Sequence, residues 1–467
     1  MTQEQINEFE SYAEAVMTDG NAAGLAVAIV DKNGKELYHF FKGLRDKENG
    51  LPIDENTIFG VASITKSFTT VCLLQLVQKG IISLDSPVSD YIPDYKGFHD
   101  GEPVRVKHLL YHAGGYFPMF RQCIDPLAED MGITEEKVGD FAYYAPMAEE
   151  GLRRVCAALD KEIAFNGRPG ERMSYCNDGF AIISEIVHLY GGENSFAEYV
   201  KKHVMEPLGM TRSSADYMAP AADPNSAVLY SVDEKTKEPR ADHDYHNLAF
   251  MLGGGGAVKS TVSDMCRYLG FYLNEGLSLD GQRVLDGYYV REMSRPRIWY
   301  GPDQWYGYGL SSSHLDDITA WGHGGSLPGV SSYFQFSKEM ELGVVVLCNT
   351  EGVNSSVIAD AAMRLANGCK PEEPRIQWQT RPWSDEKVRE VVGNYSMEEG
   401  EAFRLYLDEK GELTMEQNGA VREVYPVAPD MLIVKGKWND GFIFFYKNDD
   451  GNIFCAKCGS RIYPKRS

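Results

Sequence analysis

The placement of the strands constrains this chain more than any other feature. An apolar β-type run at 24–30 meets the turn Asp31-Lys32-Asn33-Gly34, and 35–41 returns as a second strand, which is a hairpin signal. Far downstream, 331–336 and 342–347 read as another strand pair. Between them, 116–210 looks largely helical, with Gly and Pro breaks. Residues 2–19 read as an amphipathic helix with Ile6, Phe9, Tyr12, Ala13 and Val16 on one face. A second helix is expected from about 63 to 78, stopped by Gly80. Strands at both ends of a long helical middle are the α+β pattern, an antiparallel sheet with helices. There is no internal repeat and no low-complexity segment.

The composition shifts at 370–385, where Lys370-Pro371-Glu372-Glu373-Pro374 and Arg381-Pro382-Trp383 read as a linker. Beyond it, short alternating segments recur at 404–407, 412–416, 431–435, 442–446 and 452–455. Turns ending in Gly411 and Gly451 separate some of them. The pattern predicts a small β-sheet or barrel. The expected division is 1–370, a linker at 371–384, and a small all-β domain at 385–467.

Charge narrows the partners. The chain carries 46 Lys and Arg against 68 Asp and Glu, a net charge of −22. Nucleic acid needs a basic footprint and an anionic membrane surface needs cations, so neither is an expected partner. The nine cysteines are odd in number and mostly far apart, and read as reduced thiols. The start shows no basic segment leading into an apolar one, and the longest apolar run, 343–348, is far short of the ~20 residues of a membrane helix. The expectation is a soluble cytoplasmic protein.

Several common signatures are absent, among them G-x-S-x-G, G-x-x-x-x-G-K-[ST] and H-E-x-x-H. The run Gly253-Gly254-Gly255-Gly256 does not continue as a dinucleotide fingerprint. Ser63-Ile64-Thr65-Lys66 is present. On a helix, positions i and i+3 share a face, so the amine can reach the hydroxyl. A serine beside a base is a nucleophile arrangement. The helix after it is apolar nearly all round, so Lys66 is expected to be buried and must find an acceptor or lose its proton. The bland alternative is a satisfied structural lysine. A second S-x-x-K, Ser384 to Lys387, lies beside the linker and reads as surface. Tyr175-Cys176-Asn177 is one of several Y-x-N triplets, but only this one follows a Pro169-Gly170 turn and enters an apolar helix. The third element is Trp321-Gly322-His323-Gly324-Gly325-Ser326, just before the apolar strand pair.

Together, and in this order, the three elements resemble the serine β-lactamase and penicillin-binding-protein superfamily. The nearest kin are its class C-like hydrolases, namely D-aminopeptidases, DD-carboxypeptidases and esterases. Flanking matches are Leu109 to Gly115, Gly254 to Thr261 with Asp264-Met265, and Tyr306 to Leu310. The resemblance spans roughly 5–367. It implies a β-lactamase-like α/β sandwich, an antiparallel sheet flanked by helices, with an all-helical lobe. It also implies roles. Ser63 is the acylated nucleophile, and Lys66 and Tyr175 form the base system. Asn177 holds Lys66 and contacts the substrate amide. His323 and Gly325 lie on the strand bordering the site, with His323 facing the substrate's far end. The backbone N–H groups of Ser63 and Ser326 form the oxyanion hole. A cationic Lys66 would lower the Tyr175 phenol.

Departures from the superfamily matter. Its penicillin-binding members carry K-T-G where this chain has His323-Gly324-Gly325. An imidazole with a pKa of ~6.5 holds a carboxylate weakly at neutral pH, which predicts slow penicillin hydrolysis. No S-D-N fits the second position, and Cys176 stands where Ser is usual between Tyr and Asn. No cofactor or metal is implied: Asp242-His243-Asp244-Tyr245-His246 lacks a third ligand set, and Cys455-Ala456-Lys457-Cys458 lacks a second cysteine pair. His112 has a structural place in the resemblance. Tyr116, Phe117, Phe120, Tyr143, Tyr144, Trp305 and Tyr306 either line a groove or pack the helical lobe. The implied reaction is acyl transfer through an acyl-enzyme to water, on a peptide, amide or ester. A D-amino-acid-type peptidase or amidase comes first. A carboxylesterase or an acyltransferase would use the same residues, and a catalytically silent binding or sensor protein is the rival from another class. The expected partner is a small-molecule or short-peptide substrate. Homo-oligomerisation through the C-terminal domain is left open.

Overall fold

A computed structural model describes residues 1–99, 101–119, 123, 126–127, 129–130, 141–159, 166–216, 223–232, 239–242, 253–372, 376–397 and 402–466. The central sheet has nine antiparallel strands: β1 (Gly24–Asp31), β2 (Glu36–Asp46), β3 (Leu51–Pro52), β4 (Ile298–Gly301), β5 (Gln304–Tyr306), β6 (Ser311–Leu315), β7 (Ile318–Leu327), β8 (Val330–Ser337) and β9 (Leu342–Cys348), in the order β4-β5-β6-β7-β8-β9-β1-β2-β3. The two ends of the region meet where β1 pairs with β9, with Ala28 opposite Val345.

That central position explains why β1 reads as a continuous apolar run. Leu25, Val27 and Ile29 face one core with Phe9, Val16, Ile358 and Met363, while Ala26, Ala28 and Val30 face the other with Val71, Leu74 and Phe271. A strand covered on both faces has no polar side to alternate. The first face carries α1 (Gln3–Asp19) and α5 (Ser355–Ala366). Thr2 closes α1 in a capping box, its Oγ1 accepting from the Gln5 N–H at 3.2 Å. The second face carries α4 (Val262–Leu273), behind which pack α2 (Thr65–Gln78) and α3 (Asn177–Gly191). Every residue of α2 from Thr65 to Leu76 is buried, as its apolar sequence predicts.

The C-terminal strands form a closed barrel: β10 (Gly393–Ser396), β11 (Ala402–Leu407), β12 (Leu413–Gln417), β13 (Ala420–Ala428), β14 (Met431–Val434), β15 (Gly441–Lys447), β16 (Ile453–Cys458) and β17 (Arg461–Arg466). Closure comes from β10 pairing with β17, Tyr395 opposite Lys465. Phe403, Leu405, Met415, Ile443, Phe445 and Tyr463 fill the interior. The fold is therefore the expected α+β class with an added β-barrel.

The structure also goes beyond the periodicity. Strands β4–β7 gave no clear signal, because Ser311 to Ser313 and the glycines of β7 dilute it. The second S-x-x-K is a helix cap: Ser384 Oγ accepts from the Lys387 N–H at 3.2 Å at the start of the helix Asp385–Val391. All nine cysteines are free thiols. Among the described residues no helix is long and apolar enough to cross a membrane, and no group of His, Cys, Asp or Glu could hold a metal ion. His243, Asp244, Tyr245, His246 and Phe120 lie outside the described residues, as do the side chains of Tyr143 and Tyr144.

Candidate active site

Ser63 sits in a single 3-10 turn, Ala62–Ile64, that runs directly into α2. Ala62 carries φ +46°, a left-handed conformation that costs a side-chain-bearing residue of order 1 kcal/mol or more. Neighbours hold the turn in place. Ser332 Oγ on β8 donates to the Val61 carbonyl at 2.8 Å. On β7, a Cβ at Gly325 would fall 2.2 Å from that same carbonyl oxygen and 2.3 Å from Ser332 Oγ. Glycine at 325 is thus what lets β7 lie against the Ser63 turn. One residue on, Ser326 pairs with Ser331 and is exposed.

Lys66 lies one helical turn after Ser63 and is fully buried. Its Nζ donates to Ser63 Oγ at 2.9 Å and to the Gly255 carbonyl at 2.7 Å. That carbonyl belongs to the turn Gly253–Gly255, which also takes a 2.7 Å bond from Thr69 Oγ1 to Gly254. The glycine run is therefore a close-packing device, since a Cβ at Gly254 would meet the Phe180 carbonyl at 2.6 Å. Burial, helped by the positive charge of Arg461, holds the Lys66 ammonium well below the ordinary lysine pKa. The neutral amine is favoured, next to a hydroxyl it can deprotonate.

Tyr175 closes the other side. Its ring centre lies 4.9 Å from Lys66 Nζ, and its side chain is hydrogen-bonded to Ser63. Burial pushes the phenol up, outweighing the opposing effects of the Ser63 bond and of Arg461. The expected lowering by Lys66 is thus reversed: Tyr175 rests as a neutral phenol and Lys66 is the resting base. Asn177 is the first residue of α3 and half-buried. Among the described residues no hydrogen bond joins it to Lys66, whose second acceptor is Gly255 instead.

His323 is also placed differently from the expectation. Its side chain is buried, with the residue 5% exposed, so it does not face the substrate's far end. A chain of bonds fixes its state. The Cys176 N–H donates to His112 Nδ1 at 3.1 Å, so His112 must carry its proton on Nε2, which reaches Tyr306 Oη at 3.2 Å. Tyr306 Oη is then free to donate to His323 Nε2 at 2.9 Å, and His323 Nδ1 bonds the Gly324 carbonyl. Burial first, then the charge of Lys66, push the His323 imidazole down to about 3, so it is neutral at physiological pH. The His112 ring lies 4.2 Å from the Tyr175 ring, so this buried chain backs the tyrosine. Tyr306 and Tyr116 are buried and pack the interior, whereas Trp305 is exposed.

One contributor was missed from sequence. The β16–β17 hairpin of the barrel docks on the Tyr175 loop: the Tyr175 N–H donates to the Ser460 carbonyl at 2.9 Å, and the Ile462 N–H to Ser174 Oγ at 3.1 Å. This brings the Arg461 guanidinium to 5.8 Å from the Tyr175 ring centre. No motif marks Arg461, because its place depends on docking between segments almost 300 residues apart in sequence.

The beta-lactamase family model matches residues 9–367. The chain belongs to the beta-lactamase family. It is accordingly a serine hydrolase of the β-lactamase-related, penicillin-binding-protein-like kind. Among curated proteins this beta-lactamase-family chain is similar to the esterase EstB of Burkholderia gladioli, 29% identical over 70% of this chain and 86% of the esterase. It is also similar to the D-aminopeptidase of Brucella canis, 25% identical over 80% of this chain and 65% of that protein. Among solved structures, the octameric penicillin-binding protein homologue from Pyrococcus abyssi aligns over 98% of this chain and 99% of its own, with a TM-score of 0.69 and 26% identity. That alignment includes the barrel, which lies outside the family match.

Proposed function

We propose that Ser63 is the nucleophile of an acyl-enzyme mechanism acting on peptides, amides or esters, most specifically as a D-amino-acid-type peptidase or amidase. The observation that carries this reading is the buried Lys66 amine 2.9 Å from Ser63 Oγ, with Tyr175 bonded to the same hydroxyl. Lys66 takes the Ser63 proton as Oγ attacks the substrate carbonyl. The backbone N–H groups of Ser63 and Ser326 stabilise the oxyanion, each worth about 3–4 kcal/mol. Tyr175, a neutral phenol held beside Lys66, passes a proton to the leaving group and recovers it from the amine. Water then repeats the sequence on the acyl-enzyme, with Lys66 and Tyr175 in the same roles. Asn177 meets the substrate amide, while Gly325 sets the approach of β7. The D-type assignment is supported by relatives named D-aminopeptidase and by a neighbour titled as a D-stereospecific amidohydrolase. Ester cleavage on the same residues is the second reading, favoured by the similarity to EstB. Residues 1–370 and 385–467 are proposed as separate domains, with assembly through the barrel as in an octameric homologue.

A fluorophosphonate label tests the central point. It should mark the wild-type protein at Ser63 and leave Ser63→Ala unmarked. D- and L-aminoacyl p-nitroanilides set against p-nitrophenyl esters, read by burst kinetics, then rank the substrates. A Ser63→Ala protein that kept most of its turnover would refute the assignment, and an unlabelled, inert wild type would favour a silent binding protein.

A further inference from the structure

The site lacks the charge that its strand β7 would be expected to supply. The residue at that place is His323, neutral, buried, and engaged at both ring nitrogens by Tyr306 and Gly324. A cation enters instead from the barrel. Arg461 opens β17, half-buried, with its guanidinium carbon 5.8 Å from the Tyr175 ring centre. Three groups register its field: the proton affinities of Lys66, Tyr175 and His112 are each reduced by it. Its position is held on both sides. Ser460 before it and Ile462 after it are hydrogen-bonded to Tyr175 and Ser174, and Lys457 Nζ donates to the Met173 carbonyl at 2.9 Å. Across the same seam, the Arg172 guanidinium stacks 4.7 Å from the Tyr446 ring centre.

A guanidinium fixed in this way is a two-point donor matched to a carboxylate, and its ordering cost is already met by the hairpin. A carboxylate on the residue after a scissile bond lies within about one Cα–Cα step, ~3.8 Å, of the reacting carbonyl. An α-ammonium on the residue before the bond would lie equally close and would be repelled. We propose that Arg461, delivered by the barrel, is a substrate-binding and specificity residue. In this role it selects acyl donors that carry a carboxylate next to the scissile bond and disfavours those with a free amine there. This rests on Ser63 being the nucleophile, and it narrows the peptidase reading away from aminopeptidase chemistry. It also makes docking of the barrel a condition of substrate choice.

The test compares the full-length wild type with Arg461→Gln and Arg461→Lys. By calorimetry, N-acetyl-D-alanine should bind the wild type about 10- to 100-fold tighter than N-acetyl-D-alaninamide. Arg461→Gln should collapse that ratio to within about 3-fold, and Arg461→Lys should restore part of it. In turnover, the kcat/KM ratio of a peptide with a free C-terminal carboxylate to its C-terminal amide should fall by the same factor in Arg461→Gln, mostly through KM. Equal ligand affinities in the wild type, or a ratio that survives Arg461→Gln, would overturn the proposal. If Ser63 is labelled by fluorophosphonate while the ratio is unmoved, Arg461 fails and the serine mechanism stands. If Ser63 is not labelled, the mechanism fails, and the calorimetric ratio still judges Arg461.

Discussion

Two fully buried lysines stand on either side of the Tyr175 loop, one from α2 and one from the barrel. Lys66 touches a hydroxyl, Ser63 Oγ, at 2.9 Å. Lys457 touches the Met173 carbonyl at 2.9 Å and the Met173 thioether at 3.2 Å, with the Trp299 and Tyr300 ring centres each 5.8 Å away. Burial lowers the proton affinity of both, to about 7 for Lys457. The surroundings decide what that means. A deprotonated amine beside an O–H is a base with something to take. The same amine over a carbonyl, a sulfur and two aromatic faces has no proton to remove and can only donate. Depressed lysine proton affinity is thus a sign of burial, and the neighbour makes it chemistry.

The largest expected effect breaks this pair apart. Lys66→Met should cut kcat by about 10³-fold or more, since it removes the base from the nucleophile. Lys457→Met should change kcat by less than about 10-fold, because it loses only a strut under the loop. Steady-state kinetics on one p-nitrophenyl ester decides it. Comparable losses would mean that both lysines serve the chemistry.

Tyr175→Phe sharpens the Lys66 side. Its loss should be about 10²-fold or more in kcat. Combined with Lys66→Met, the loss should be far from the product of the two, because both act on the one Ser63 proton. Multiplicative losses would separate the tyrosine from the amine.

The same contrast explains what could be read from the chain. Ser63, Lys66 and Tyr175 were legible because their proximity is written locally: three residues on one helix face, and a tyrosine in a loop entering an apolar helix. The β1–β2 hairpin and the β8–β9 pair were legible because both cores demand apolar residues there. Strands β4–β7 were not, because their serines and glycines answer to close approach, as Gly325 does against Val61, and carry no periodic signal. His323 looked like a substrate contact and proved to be the end of a buried chain through Tyr306, which no spacing encodes. Arg461 and Lys457 belong to the docking of two segments, and their partners Ser174, Tyr175 and Met173 lie far away in sequence.

The smallest effect concerns the barrel's lysine and is one of stability. An exposed lysine in the unfolded chain keeps the ordinary value of 10.5, while burial holds folded Lys457 at about 7. Between those values the unfolded chain binds a proton that the folded protein does not, so this group's contribution to stability rises with pH across the window and is flat below about 7. The slope is at most about 1.4 kcal/mol per pH unit. Lys457→Met removes the titrating group and leaves the other ionisable groups in place, so the difference between the two proteins isolates the lysine. From pH 7 to pH 9 the wild type should gain about 1–3 kcal/mol on Lys457→Met in chemical denaturation. The gain should appear in the transition that exposes Met173, because the seam between barrel and loop is what buries the amine. A difference that stays constant across that range would mean that Lys457 remains protonated when folded, and the contrast with Lys66 would then rest on hydrogen-bond partners alone.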